Sequence, residues 1–452
     1  MASVMSSNQA SVNPLKFDRF SRLKALQPVA KRSESADPNA TAASTADRDS
    51  PPHTDSPSDR LASLLGATIT RNEHGEHMSV VTSHTGCEPC NPSALALELL
   101  LREAPAAIAN PEQWLFLDTE TTGLSGGTGT YPFLIGLAWW EANGLKIEQL
   151  FMREYSEERS MLAALAQRME RRAVLVTFNG KSFDWPLLET RFRMTRTISS
   201  PAPRAHLDFL HPARNLWRLK LGTVKLAHLE HHVLGTDREQ DLISGDIPKI
   251  YTDFVRSGHA EPLVPVFLHN QMDLHGLARI ANHTISILGN ESTTMQDGLE
   301  LFGLSRMCER RGQLERAMKS YEQSIGSQLP SQTSRAARAA LARLAKRNGN
   351  IERACELWES LLGNSSEGYE AYEQLAIFYE HEVSDVSRAL DLTGQALAQL
   401  RHARQVKLIG DATYQKIKAR FEHRRTRLER KAEPPLSLFA ERSVRGPDHQ
   451  ER

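Results

Sequence analysis

Asp118 and Glu120 stand one residue apart at the end of an apolar run, Trp114-Leu115-Phe116-Leu117. In an extended strand, residues i and i+2 point to the same side, so two carboxylates would leave a buried strand together. Carboxylates held that close repel one another unless a cation lies between them. A solvated strand end explains the pair equally well, so the question is whether more acids converge. Two further stretches supply them. Asn179-Gly180-Lys181-Ser182-Phe183-Asp184 follows the apolar run AVLVTF and opens a helix, which puts Asp184 at a strand-to-helix crossover. His269 and Asp273 lie four residues apart, on one face of an apolar helix. Taken singly, Asp184 is a helix N-terminal acid favoured by the macrodipole, and His269 with Asp273 is a surface pair.

The elements that must hold these groups are legible around them. WLFLD reads as a buried strand. PFLIGLAWW and LKIEQLFM read as two more, joined at Glu141-Ala142-Asn143-Gly144 as a hairpin. SEERSMLAALAQRMERR has helical period with Ser156 placed as its cap. AVLVTFNG is a further strand and SFDWPLLETRFRM a helix after it. The order predicts an α/β fold, a mixed sheet flanked by helices. Residues 61–110 read as a small strand-rich lead-in, residues 111–290 as the α/β domain.

Beyond residue 297 the text turns to Ala, Leu, Glu, Arg and Gln at helical period. RRGQLERAMKSYEQSI, KRNGNIERACELWESLL and HEVSDVSRALDLTGQAL align, with Ala317, Ala354 and Ala389 spaced by 37 and 35 residues. A small residue at that period, after a polar turn, is the mark of stacked helix pairs, so residues 297–430 read as an all-α repeat domain. Residues 1–60 and 431–452 are polar and poor in groups to bury, and are expected to be disordered. Within the first, Phe17, Phe20 and Leu23 share one helical stripe.

Charge and composition narrow the class. Hydrophobic residues at 40% permit a packed core, and 55 basic against 55 acidic residues give no net charge, so only local clustering can argue for nucleic acid. Four scattered cysteines do not make a disulfide framework. The N-terminal stretch lacks the apolar core of a signal peptide, and no run approaches the ~18 apolar residues of a membrane span. A cytoplasmic protein without a membrane partner is expected.

The set D-x-E, N-x-x-x-F-D and H-x-x-x-D, in that order, resembles the ribonuclease-H-like 3′–5′ exonucleases with four metal-binding acids, the superfamily of polymerase proofreading domains. Asp118 and Glu120 match the first motif in the wording D-x-E-T-T-G-L; Asn179, Phe183 and Asp184 match the second; Asp273 matches the third. The stretches LSGGTGTYPFLIG and LWRLKLGTVKLAHLEHHVLG also resemble the bacterial YprB-like branch, which joins such a domain to tetratricopeptide-like repeats. The resemblance implies a ribonuclease-H-like fold and a 3′–5′ exonuclease of DNA or RNA. It makes Asp118, Glu120, Asp184 and Asp273 the metal ligands, and assigns Thr121, Thr122, Gly123, Leu124 and Asn179 to the substrate. His269 stands at the spacing where the family has Tyr; a His there could orient or deprotonate a water. Carboxylates without a Cys or His cluster suit Mg²⁺ or Mn²⁺, and two such ions about 4 Å apart are the arrangement for phosphodiester hydrolysis. An endonuclease would use the same residues. A catalytically inactive nucleic-acid-binding or scaffold protein would keep the fold, although it would gain nothing from four acids held together.

Other signals bear on partners. Between 191 and 225 stand Arg191, Arg193, Arg196, Arg204, Arg214, Arg218, Lys220 and Lys225 with one acid, Asp208, and with Trp217 among them; such a segment could track a phosphate backbone. Residues 401–431 hold eleven Lys or Arg and three acids, read as an exposed helix face. The repeats imply a protein partner, and Pro435-Leu436-Ser437-Leu438-Phe439 resembles a sliding-clamp peptide without its leading Gln. Cys87 and Cys90, with His74, His77 and His84 nearby, form an incomplete zinc set. Ser125–Thr130 lacks the Lys of a P-loop, Asp246 reads as a helix cap, and Asp208 as a structural acid or a fifth acid near the site.

Overall fold

The structure, a computed structural model, describes residues 56–101, 106–123, 127–196, 198–238, 242, 244–289, 297–363 and 365–433. The Phe17-Phe20-Leu23 stripe, Leu124 and the Pro435–Phe439 segment lie outside them.

A seven-stranded mixed sheet carries the candidate site. Its strands are β1 (Thr68–Asn72), β2 (Gly75–His84), β3 (Trp114–Thr121), β4 (Pro132–Glu141), β5 (Gly144–Phe151), β6 (Val174–Thr177) and β7 (Ala205–Asp208), in the order β1-β2-β5-β4-β3-β6-β7. β3 pairs antiparallel with β4 and parallel with β6. β4 and β5 are joined by the expected hairpin, Glu141 opposite Gly144. The hairpin β1–β2 extends this same sheet, since β2 pairs with β5 from Met78↔Phe151 to His84↔Leu145.

Helices cover both faces. They are α1 (Pro57–Leu65), α2 (Ala94–Leu100), α3 (Glu158–Arg171), α4 (Asp184–Thr195), α5 (Leu210–Leu221), α6 (Leu226–Leu234), α7 (Ile247–Ser257) and α8 (Val264–Gly289). α1 starts within the polar stretch read as disordered, because Ser56 accepts a bond from the Asp59 amide, Pro57 fits the first turn and Leu61 is buried. The alternation of β3 divides the core. Trp114 and Phe116 join Ala138, Ile147, Val176, Leu216 and Leu277 on one face. Leu115 and Leu117 join Phe133, Leu165, Leu188, Tyr251 and Phe267 on the other. By the same alternation Asp118 and Glu120 follow Trp114 and Phe116. Ser156 does not cap α3: a 3-10 turn over Tyr155–Glu157 precedes the helix, and the Ser156 hydroxyl donates to Glu154 instead.

The C-terminal region is helical: α9 (Gly298–Arg311), α10 (Leu314–Gly326), α11 (Ser331–Arg347), α12 (Ile351–Glu359), α13 (Ser366–His381), α14 (Val386–Gln405) and α15 (Asp411–Ala432). Ala317, Ala354 and Ala389 are fully buried in the second helices of three successive pairs, an arrangement compatible with tetratricopeptide-like repeats. Among the described residues no helix is long and apolar enough to cross a membrane.

Candidate functional site

β3 delivers Asp118 and Glu120 to the point where its pairing with β4 becomes irregular, between Glu120 and Thr121. Directly across the sheet from Asp118 come Gly136 on β4 and then Gln149 on β5. Over this row lies α8. Its Asn270, fully buried, donates from Nδ2 to Asp118 Oδ2 at 2.8 Å. Asn270 Oδ1 in turn accepts from Gln149 Nε2 at 2.8 Å, and Gln149 is held by Gln271 at 2.7 Å. A Cβ at position 136 would come within 2.2 Å of Asn270 Oδ1, so only glycine leaves space for this bond. Sequence reasoning passed over Asn270 and Gln149, although Asn270 sits between His269 and Asp273. The strand register is what brings them to the acid.

The other acids arrive from separate elements. Asp184 is the first residue of α4 and accepts from the Thr119 hydroxyl at 2.5 Å. Asp273 and His269 lie one turn apart on α8. His269 Nε2 is 3.4 Å from Asp273 Oδ2 and 3.9 Å from Glu120 Oε1. Donor atoms of Glu120, His269 and Asp273 all lie within 4.8 Å of one another, the one group of that geometry among the described residues that could hold a metal ion. Burial drives the Asp118 carboxyl well above the usual carboxylate range, reinforced by the charges of Asp273, Glu120 and Asp184 and opposed by the Asn270 bond. Asp184 is raised as well, first by burial. The four acids of the motif set therefore share one electrostatic neighbourhood.

Arg238 is a third residue that sequence reasoning missed. Its side chain is 8% exposed, and its Nη2 donates to Asp273 Oδ1 at 2.7 Å while Nε engages Glu230 on α6. Burial pushes the Glu230 carboxyl up to about 7, against the pull of Arg238.

The remaining predicted residues fold the surrounding turns. The Thr121 hydroxyl donates to the Gly123 carbonyl at 2.9 Å, and Thr122 is pinned to Tyr131 through both its amide and its hydroxyl. Asn179 has a left-handed backbone, φ 72°. Its amide and that of Lys181 donate to the two oxygens of Asp208, at 2.8 and 3.1 Å, which gives Asp208 the structural place expected of it. Asp246 occupies the N-cap position of α7 but makes no side-chain capping bond.

Two of the eight basic residues of the 191–225 segment, and its Trp217, serve the fold, whereas Arg193, Arg196, Arg204, Arg214, Arg218 and Lys225 are exposed. Arg191 is 2% exposed, pairs with Glu158, donates to the Thr128 carbonyl at 2.8 Å and lies over the Tyr131 ring. It thus ties down the described part of the Gly-rich loop. Lys220 bridges to Asp297 and Glu300, and Trp217 is fully buried, stacked on His283. These three are not part of an open phosphate track. Of the zinc set, Cys87 is buried and His77 bonds Ser160 at 2.8 Å, and His84 lies beside the His275 ring.

The RNase H superfamily model matches residues 115–285, the span that contains all four acids. The Bacillus subtilis (strain 168) protein named "Uncharacterized protein YprB" is 30% identical over 290 residues, 64% of this chain and 70% of that one. The chain belongs to the RNase H superfamily. Among solved structures it aligns with the family B DNA polymerase from the hyperthermophilic archaeon Pyrobaculum calidifontis at 15% identity and a TM-score of 0.30. That alignment takes in 44% of this chain and 29% of the polymerase. The RNase H-like fold is a nuclease-like one, suited to nucleic acid, and nucleases with it commonly use divalent metals. The donor set fits such ions: hard carboxylate oxygens, mutually repelling, with one imidazole.

Proposed function

We propose that this protein is a metal-dependent phosphodiesterase, a 3′–5′ exonuclease of DNA or RNA. The observation that carries the reading is the gathering of Asp118, Glu120, Asp184 and Asp273 from two strand positions and two helices into one repelling group. In this reading the four acids hold Mg²⁺ or Mn²⁺, two ions in all. Those ions would supply Lewis-acid stabilisation of the charge that develops on the phosphate. The chain's own part is orientation. Thr119 fixes Asp184, and the Gln149–Asn270 pair fixes Asp118. His269, between Glu120 and Asp273, is placed to hold or accept a proton. Thr121, Thr122, Gly123, Leu124 and Asn179 would border the terminal nucleotide. The nuclease unit would span 111–290 and the repeat unit 297–430, the latter offering a face to a protein partner.

Arg238 favours a second reading. Its guanidinium already neutralises Asp273, as it would in a fold kept for binding alone. Digestion of end-labelled single-stranded DNA and RNA with Mn²⁺ or Mg²⁺, by the wild type and by Asp118→Ala/Glu120→Ala, separates the two. Metal-dependent shortening from the 3′ end that disappears in the variant supports the exonuclease. Internal cuts would make it an endonuclease, and no cleavage under any metal would leave the binding reading.

A further inference from the structure

A cavity of about 450 Å³ opens between the nuclease-like sheet and the helical region, walled by β7, α5 and α9. Its polar lining includes Lys181, His206, His211, Arg310 and Arg311, and its floor is apolar, with Leu207, Phe209 and Met307. The acid in this lining is Asp208, and backbone amides already occupy both its oxygens. Among the described residues no carboxylate lies within ion-pair reach of Lys181, Arg310 or Arg311. Arg310 donates to the neutral Asn215 amide oxygen at 2.8 Å, and Arg311 to the Leu100 carbonyl at 3.4 Å. Desolvation and the neighbouring Arg306 and Arg311 hold the Arg310 pKa below its usual value, against the opposite pull of Tyr321 and Glu309. Three cations thus face one cavity, and among the described residues no carboxylate pairs with them there.

The junction is built closely. Gly303, Met307 and Arg310 recur at i, i+4 and i+7, one face of α9. A Cβ on Gly303 would stand 2.1 Å from the Asn215 carbonyl oxygen, so α9 presses backbone to backbone on α5 and sets Arg310 at a fixed distance. Lys220 on α5 clamps the other end through Asp297 and Glu300. Lys181 belongs to the same Asn179–Asp184 turn that ends in the site acid, a turn closed by the Trp185 amide on the Gly180 carbonyl at 2.9 Å. On that turn, between Lys181 and Asp184, Phe183 is 62% exposed, as a base-stacking side chain must be.

We infer that this cavity binds a backbone phosphate of the single-stranded polynucleotide whose end lies at the carboxylate cluster, so that Arg310 and Arg311 of the helical region are part of the substrate site. The inference deepens the nuclease reading and rests on it for the position of the strand end. The exposed Phe183 beside the cations favours a polynucleotide over a free phosphate.

The test is fluorescence anisotropy of a 5′-fluorescein single-stranded 20-mer with the full chain in EDTA, across a salt series. Wild type is compared with Arg310→Ala/Arg311→Ala and with Lys181→Ala, which leaves the α5–α9 packing intact if the double variant fails to fold. The expected result is binding at least about tenfold weaker, with the log–log salt slope reduced by about 0.7 for each phosphate no longer neutralised. Unchanged affinity and slope in a folded variant would overturn the proposal. So would calorimetric binding of inorganic phosphate that needs Arg310 and Arg311 while the 20-mer is indifferent to them. Because EDTA removes any need for metal, the outcome is independent of cleavage: a chain that cuts nothing but binds through Arg310 and Arg311 loses the nuclease reading and keeps the cavity.

Discussion

The acids at the end of β3 are half-buried and Glu380 on α13 is buried, and their company is opposite. Glu380, its side chain fully buried, is surrounded by Arg424, Arg427 and Lys431 of α15, with Lys431 Nζ at 2.6 Å and Arg424 Nη1 at 3.3 Å. Burial alone would raise its carboxyl, but Lys431 and Arg427 overcome that and hold it low. Asp118 has the reverse balance: burial raises it, and its charged neighbours Asp273, Glu120 and Asp184 raise it further. The guanidinium that reaches that cluster, Arg238, is divided between Asp273 and Glu230. A buried acid with cations from a neighbouring helix is a fastener, whereas a group of half-buried acids with each other for company is destabilising until a cation arrives. The contrast says more about function than burial or residue type alone.

The contrast can be broken most directly at β3. Asp118→Ala/Glu120→Ala should lower metal-dependent cleavage on the order of 10³-fold, about 4 kcal/mol of barrier, while its thermal midpoint in EDTA stays level or rises as repulsion is relieved. Residual cleavage near the wild-type rate would remove the site from this place. Next, Mn²⁺ at ~100 times its dissociation constant should stabilise the wild type by about 2.7 kcal/mol, read as a shift of the urea midpoint. The double variant should show no shift, and Glu380→Gln should keep it. Third, Glu380→Ala should cost about 1–3 kcal/mol in urea unfolding, because three cations lose their acceptor, with cleavage retained at 25 °C. A loss of cleavage without a loss of stability would mean the two centres are not separate.

The smallest effect separates the centres by pH. His77 is buried and its pKa is lowered to about 4, chiefly by desolvation, from an ordinary 6.5. The neutral ring is the folded form. Its stability contribution is therefore complete above pH 6.5 and falls, at about 1.4 kcal/mol per pH unit, as pH drops toward 4. The depressed Glu380 carboxyl contributes above its ordinary 4.5 and loses that contribution only below it. Stability measured from pH 7 to 5 should fall less steeply in His77→Gln, whereas Glu380→Gln should leave the slope in that window unchanged. Equal slopes for wild type and His77→Gln would contradict the buried neutral ring.

Period and composition made the β3 strand, the β4–β5 hairpin and the helix pairs readable, since each is a local pattern that packing then used. The acids were readable for the same reason: Asp118 and Glu120 share a side by alternation, and His269 and Asp273 share a helix face. What escaped was set by register and pairing. The row Asp118, Gly136 and Gln149 exists only once β3, β4 and β5 are aligned, and Asn270 gains its meaning from that row. Arg191, Lys220 and Trp217 looked available as a basic, aromatic stretch, but partners distant in sequence, Glu158, Asp297 and His283, had taken them. A one-dimensional count of charge cannot distinguish a cation already paired with a carboxylate from one held, among the described residues, only by neutral oxygens, as Arg310 and Arg311 are.

Helix α8 runs for 26 residues, about 39 Å at 1.5 Å per residue. Near its start it carries His269, Asn270 and Asp273; at its far end the Leu288 carbonyl is gripped by Arg316 of α10. A continuous helix is a stiff strut, so the carboxylates and the first helix pair of the repeats are two ends of one beam. A displacement of that helix pair would therefore reach the acid cluster as tilt of the beam rather than be absorbed in a flexible joint.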